Sequence, residues 1–94
     1  MPRYIVRAKD PDTGVMRYAL WSTVVDAPVT AFVLRDEILT YPDVTPEGMA
    51  RVDEKGTSSH IHKSAVEVMS HNRAGNRERH LSITKIVRLY RRDF

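Results

Sequence analysis

The sequence has the size and composition of one small globular domain. It has 94 residues, with 15 Lys and Arg against 12 Asp and Glu, a formal net charge of +3 and no cysteine. A hydrophobic fraction of 41% is too high for a disordered chain, and no apolar run is long enough to cross a membrane. The absence of cysteine excludes disulfides, thiolate zinc sites and cysteine nucleophiles. The first residues lack the apolar core of a signal peptide, so we expect a single cytoplasmic domain over residues 1–94.

The N-terminal segment predicts a β-hairpin over residues 2–24. Side chains in residues 2–9 alternate with a period of two and include aromatic and β-branched types, which is typical of a strand. The stretch 10–14 (DPDTG) predicts a turn, because Pro suits an early turn position and Gly accepts a positive φ angle. Residues 15–24 then form the returning strand.

Helical patterns follow the hairpin. Asp26 and Pro28 indicate a helix start, and apolar residues at helical spacing extend this helix to about residue 41. Residues 45–55 predict one or two turns of helix or an ordered loop. A further helix is predicted from the polar cap at residues 57–59 to Gly75, which is typical of a helix C-terminus.

The last segment, residues 80–91, fits two periodicities. Four of its apolar residues alternate as in a strand: Leu81, Ile83, Val87 and Leu89. An overlapping set has helical spacing: Ile83, Ile86, Val87 and Tyr90. The β-branched content favours a strand. We therefore predict an α+β fold in which the N-terminal β-hairpin and a C-terminal strand form a three-stranded antiparallel sheet packed against two main helices.

Both faces of the returning strand carry large side chains. If helices cover one face only, Val15 and Trp21 lie exposed on the other, and exposed apolar patches of this kind mark partner surfaces. Binding of a protein partner, or self-association into a homo-oligomer, is the function that this pattern predicts.

Charge is distributed unevenly along the chain. Residues 1–47 carry five basic and seven acidic side chains, whereas residues 48–94 carry ten basic and five acidic ones. A basic surface in the second half would select an acidic partner, since guanidinium groups pair well with carboxylates and phosphates. The candidate partner-binding residues are Val15, Trp21, Arg73, Arg77, Arg79, Arg88, Arg91 and Arg92.

Nucleic-acid binding is the alternative function. Residues 49–73 have the order of helix, glycine turn and helix that is found in helix-turn-helix proteins, with Ser58 and Ser59 at the start of the second helix. The candidate contacts for this alternative are His60, Lys63, Arg73, Arg77, Arg79 and Arg88. A helical segment would point His60 and His62 apart, so we predict no metal site.

An enzymatic role has little support in the sequence. No P-loop, G-x-S-x-G or H-E-x-x-H motif occurs, and we predict no catalytic residues and no cofactor. Residues 80–83 (HLSI) resemble one of the two H-x-S/T motifs of the two-histidine phosphoesterases. A hydrolase that uses His80 and Ser82 is therefore a third hypothesis.

The hairpin and the segment after it, including YIVR at 4–7, DPDTG at 10–14 and VDAPVT at 25–30, resemble small accessory proteins encoded by phages of actinobacteria. The resemblance covers about the first 40 residues and carries no known site residues. It implies a cytoplasmic protein of an infected bacterium that acts by binding a host or phage macromolecule.

Overall fold

The chain folds as an α+β protein in which a small sheet is followed by helices. The computed structural model describes residues 3–70 and 82–91. Its strands are β1 (Arg3–Lys9), β2 (Met16–Ser22) and β3 (Ala27–Pro28), and its helices are α1 (Arg35–Ile38), α2 (Pro46–Lys55), α3 (Ala65–Met69) and α4 (Ile83–Tyr90). The strands form one antiparallel sheet in the order β1-β2-β3. Among the described residues, no helix has the length and apolarity needed to cross a membrane.

The predicted hairpin is confirmed. β1 and β2 pair antiparallel from Arg3 opposite Ser22 to Lys9 opposite Met16. The turn is closed by a hydrogen bond from the Asp10 amide to the Val15 carbonyl at 2.8 Å. Gly14 has φ +74°, the left-handed conformation for which the turn requires a glycine.

The predicted C-terminal strand is wrong, because residues 83–90 form helix α4. The Ser82 hydroxyl accepts a hydrogen bond from the Lys85 amide and caps this helix at its N-terminus. Ile86 and Val87 are buried in the core, with Ile83 and Tyr90 packed beside them. The helical stripe thus packs in the core, and this tertiary packing overrides the weak strand preference of β-branched residues.

The third strand is instead the two-residue β3, which lies where a helix was predicted. Beyond β3 the chain continues along the edge of β2. The Val29 amide donates to the Leu20 carbonyl, and Tyr18 and Val33 exchange two backbone hydrogen bonds of 2.8 Å. These long-range bonds satisfy backbone groups that the predicted helix over residues 26–41 would have satisfied internally. Only the last part of that segment is helical, as the short α1.

The other helical predictions are partly confirmed. α2 is a ten-residue helix capped by the Thr45 hydroxyl and ended by Gly56. The next helix does not begin at residues 57–59: α3 begins after Ser64, whose hydroxyl accepts from the Glu67 amide. The predicted end of this helix at Gly75 lies outside the described residues.

Both faces of the sheet are covered, which differs from the predicted packing of one face against two main helices. One buried cluster joins one face of the hairpin to α3 and α4, and it contains Val6, Ala8, Ala19, Trp21, Phe32, Ala65, Val68, Met69, Ile86 and Val87. A second cluster joins the opposite face to α1 and α2, and it contains Ile5, Tyr18, Leu20, Val33, Ile38, Met49 and Val52. The alternation of side chains along β1 and β2 thus contributes residues to two buried clusters. This explains why both faces of the sheet carry large apolar side chains.

Candidate functional site

A cavity of about 280 Å³ opens beside the outer edge of β1. Its charged wall consists of Arg7, Lys9 and Lys55. Its apolar wall consists of Met16, Val66, Met69 and Ile83, together with Ala8 and Ala65. No carboxylate is among the described side chains that line it. We call this cavity the basic cavity.

The two walls of the basic cavity arise from the alternation of the strand. Arg7 and Lys9 lie on the face of the sheet that packs against α2, and Ala8 lies on the face that packs against α3 and α4. The cations therefore approach the cavity from one side of β1 together with Met16, which lies opposite Lys9, and the other apolar side chains approach from the opposite side.

Gly56 brings the end of α2 to this edge. Its φ of +86° ends the helix in the left-handed conformation, and its carbonyl accepts a hydrogen bond from the Arg7 amide at 2.8 Å. A Cβ atom on this residue would lie 3.3 Å from the Cβ of Ala65. The missing side chain therefore allows α3 to approach the C-terminus of α2, and the hydrogen bond between Gly56 and Arg7 brings Lys55 to the same cavity as Arg7.

The cations of the basic cavity lack carboxylate partners among residues 3–70 and 82–91. The charge of Arg7 does act on Asp53, whose pKa is lowered mainly by hydrogen bonds from Arg35 and to a smaller extent by this charge. Both Asp53 oxygens bind Arg35, with Oδ2 at 2.8 Å from Nη2. The Lys55 ammonium donates to the His62 carbonyl at 2.8 Å. These three positive charges repel one another, and an anionic ligand would relieve that repulsion.

Two apolar side chains at the cavity remain open to solvent. Met16 is 46% exposed and Val66 is 60% exposed. Val66 extends from α3, while Met16 begins β2 directly opposite Lys9. A ligand with an apolar group could bury both of them, since removing apolar surface from water is favourable.

The structure separates the predicted partner-binding residues. Trp21 is completely buried, so the hypothesis of an exposed face around it is wrong: α3 and α4 cover that face. Val15 is 43% exposed and lines a second, shallow depression with Met16 and Leu34.

Two of the predicted partner-binding cations, Arg88 in α4 and Arg91 directly after it, form ion pairs within the protein. Arg88 donates to both oxygens of Asp12 at 3.2 and 3.0 Å. Arg91 binds Asp12 at 2.7 Å and Asp10 at 2.9 Å, and these contacts, chiefly the one with Asp12, raise the pKa of its guanidinium. These pairs neutralise charge that the sequence would offer to a ligand. Arg73, Arg77, Arg79 and Arg92 lie outside the described residues, as does His80 of the hydrolase hypothesis.

The helix-turn-helix interpretation is wrong for the described residues. Residues 57–64 are not helical, so Ser58, Ser59, His60 and Lys63 do not begin a recognition helix. The side chains of His60 and Lys63 are exposed. The Ser82 hydroxyl of the hydrolase hypothesis serves as the cap of α4.

A serine and a histidine do meet in the segment between α2 and α3. Ser59 Oγ lies 2.6 Å from His62 Nδ1, and it also accepts from the amides of Ile61 and His62. Ser59 is completely buried, and the His62 ring packs edge-on against Tyr4. These contacts hold the turn together. Among residues 3–70 and 82–91, no group of three potential ligands could hold a metal ion.

The sequence interpretation missed Arg7, Lys9 and Lys55. The signal for the first pair was present, because two cations separated by one residue in a strand share a face. No local pattern indicates that Lys55 joins them, since that depends on the long-range pairing of Gly56 with Arg7.

The chain matches no protein-family model, no curated protein and no solved structure.

Proposed function

We propose that the protein is a non-enzymatic interaction module that binds an acidic, partly apolar segment of a protein partner in the basic cavity. The observation that carries this proposal is that one cavity holds three cations without carboxylate partners among the described residues, Arg7, Lys9 and Lys55. Two exposed apolar side chains, Met16 and Val66, line the same cavity. A ligand that satisfies both walls must carry negative charge and an apolar group side by side.

The size of the basic cavity supports a short peptide segment as the ligand. Its volume of about 280 Å³ falls just below the ~300–1,000 Å³ typical of small-molecule and cofactor sites. Protein interfaces commonly combine one buried apolar anchor with charged pairs at the rim. An acidic segment with one or two apolar side chains has this combination.

The charge arrangement favours a protein partner over a nucleic acid. A phosphate backbone offers no apolar group for Met16 and Val66. Nucleic-acid affinity also rests on many free cations, whereas Arg88 and Arg91 are paired with Asp10 and Asp12. Binding of nucleic acid through the exposed His60 and Lys63 is therefore the alternative that the experiments must test.

A selection from a random peptide display library tests the proposal. The wild-type protein is expected to enrich peptides in which Asp or Glu adjoins Val, Leu or Phe. Lys9→Glu should lower the affinity for these peptides by about tenfold or more, because it replaces a charge-assisted contact with a repulsive one. Lys85→Glu is the matched control: it changes the net charge equally, is exposed and lies outside the cavity. No enrichment, or equal binding to the Lys9→Glu and Lys85→Glu variants, would overturn the proposal.

Mobility-shift measurements with single- and double-stranded DNA and RNA test the alternative. Under our proposal the protein shows no shift at moderate salt, and the selected peptides bind unchanged in the presence of nucleic acid. A shift that disappears steeply with salt and is weakened by Lys63→Glu would instead support nucleic-acid binding.

A further inference from the structure

One half of the outer edge of β1 is already paired. The antiparallel segment Gly56–Ser58 runs along it: Arg7 donates its amide to the Gly56 carbonyl, and the Ser58 amide donates to the Ile5 carbonyl at 3.1 Å. The Ile5 amide donates to the Ser58 hydroxyl at 2.8 Å. The chain then leaves the edge at Gly56, where α2 ends.

The other half of this edge opens onto the basic cavity. Backbone groups alternate in direction along an antiparallel strand. The Arg7 amide points outward to Gly56, so the Arg7 carbonyl and both backbone groups of Lys9 also point outward. No residue among 3–70 and 82–91 forms a hydrogen bond with these three groups. The edge is thus blocked at Ile5 and free from the Arg7 carbonyl to Lys9.

We propose that the partner segment binds as an added strand on β1 at Arg7–Lys9, in continuation of Gly56–Ser58, and that its side chains alternate acidic, apolar, acidic. This inference rests on the proposed function and adds to it the conformation and the residue pattern of the ligand. Addition of a strand to a free sheet edge is a recurrent mode of peptide recognition, in which main-chain bonds supply affinity and alternate side chains supply specificity.

The pattern follows from the two walls of the basic cavity. Neighbouring strands of a sheet share their faces, so alternate residues of the added strand point to opposite faces. Those on one face meet Arg7, Lys9 and Lys55, which favours Asp or Glu. Those on the other face meet Ala65, Val66 and Ile83, which favours an apolar side chain.

Two peptides of identical composition test the order of residues. The alternating peptide is acetyl-Ser-Glu-Val-Glu-Val-Ser-amide, and the blocked peptide is acetyl-Ser-Glu-Glu-Val-Val-Ser-amide. We expect the alternating peptide to bind at least about threefold more tightly in NMR titrations, since only it satisfies both walls with one strand. Its binding should slow hydrogen exchange of the Lys9 amide.

Methylation of the peptide backbone tests the main-chain bonds. N-methyl groups are placed singly on two adjacent residues of the alternating peptide. Only one of two adjacent amides faces β1, so one peptide should bind about 3- to 10-fold more weakly and the other should be unchanged.

Variants of Lys9 give a second, independent readout. Lys9→Ala removes the charge alone, and Lys9→Pro removes the charge and the outward amide without breaking a bond to β2. Lys9→Pro should bind the alternating peptide more weakly than Lys9→Ala at equal thermal stability.

The outcomes separate the two proposals. Binding of both peptides with equal affinity, with no effect of either methyl group, would overturn the added strand and leave the proposed function standing. Failure of both peptides to bind, with enrichment in the display library, would overturn the added strand alone. Failure of both peptides together with no enrichment would overturn both proposals.

Discussion

Arg17 Nε donates a hydrogen bond to Asp10 Oδ2 at 2.8 Å, and both side chains are buried, with 2% and 0% of their surface exposed. Asp10 Oδ1 also accepts from the Asp12 amide and from Arg91 Nη1, each at 2.9 Å. One carboxylate therefore connects the hairpin turn, β2 and the residue that follows α4. The position of the C-terminal helix on the sheet depends on this buried group.

Asp10→Asn should destabilise the protein strongly. The amide retains the size of the side chain but removes the carboxylate charge that faces the buried Arg17, and the loss of a buried charge partner costs more than the loss of a surface ion pair. Urea denaturation should show a clear fall in the free energy of unfolding. Asp36→Asn, which removes an exposed carboxylate, should leave that free energy nearly unchanged.

The double variant Asp10→Asn, Arg17→Met separates charge from packing. It should recover part of the lost stability, because the buried guanidinium that has lost its Asp10 carboxylate is removed as well. If Asp10→Asn unfolds at the same urea concentration as Asp36→Asn, the buried pair does not hold the fold together.

Stability should fall at acidic pH. A hydrogen bond from the Asp12 amide, with help from Arg17 and Arg91, lowers the pKa of Asp10 from 3.8 to about 2 despite the opposing effect of burial. The folded state binds this proton more weakly than the unfolded state, so the stabilisation is complete well above pH 3.8 and is lost as the pH falls towards 2. The pKa values of Asp12 and Asp53 are also lowered, which acts in the same direction.

Urea midpoints measured from pH 7 to pH 2 check this dependence. The wild-type midpoint should be nearly constant above about pH 5 and then decline. Asp10→Asn should show a shallower decline. An equal decline in both proteins would assign the acid sensitivity to other carboxylates.

The sequence predicts the hairpin correctly because its determinants are local. Alternation in residues 2–9 and the turn residues at 10–14 lie within one short segment. The segment 26–41 has helical periodicity as well, but its backbone pairs with β2 through Val29 and Val33. That pairing depends on residues distant in sequence, and no local pattern reports it. The same holds for α4, where two periodicities compete and the core decides between them.

The candidate site was less accessible to prediction than the fold. Trp21 was assigned to an exposed face because alternation shows that a strand has two apolar faces but not whether both are covered. The basic cavity combines residues of β1, β2, α2, α3 and α4, and its shape depends on the close approach of Ala65 to Gly56. Such an approach is a property of the packed helices.

The burial of Trp21 predicts its spectroscopic and energetic behaviour. As the only tryptophan in the chain, it should emit at short wavelength in the native state and be protected from acrylamide. Trp21→Ala should reduce the free energy of unfolding by about 3–5 kcal/mol, through lost burial and the cavity left behind.

Trp21→Phe provides the matched comparison. It retains an aromatic ring and removes Nε1, a buried donor that has no acceptor among the described residues. Because an unsatisfied buried donor costs about 1–3 kcal/mol, Trp21→Phe should lose much less stability than Trp21→Ala. Strong quenching of the native fluorescence by acrylamide would contradict the burial.

Gly56→Ala should be more destabilising than Gly14→Ala, although both glycines have positive φ angles, +86° and +74°. A left-handed conformation costs an L-residue about 1–2 kcal/mol, and both variants carry this cost. At Gly14 a Cβ would meet only the flexible end of Lys9 at 3.7 Å, whereas at Gly56 it would lie 3.3 Å from the Cβ of Ala65. Urea denaturation gives the free energy of unfolding of each variant. The additional loss in Gly56→Ala therefore measures the contact between α3 and the end of α2. Equal losses in the two variants would show that α3 can move away freely, in which case the basic cavity would not be held in a fixed shape.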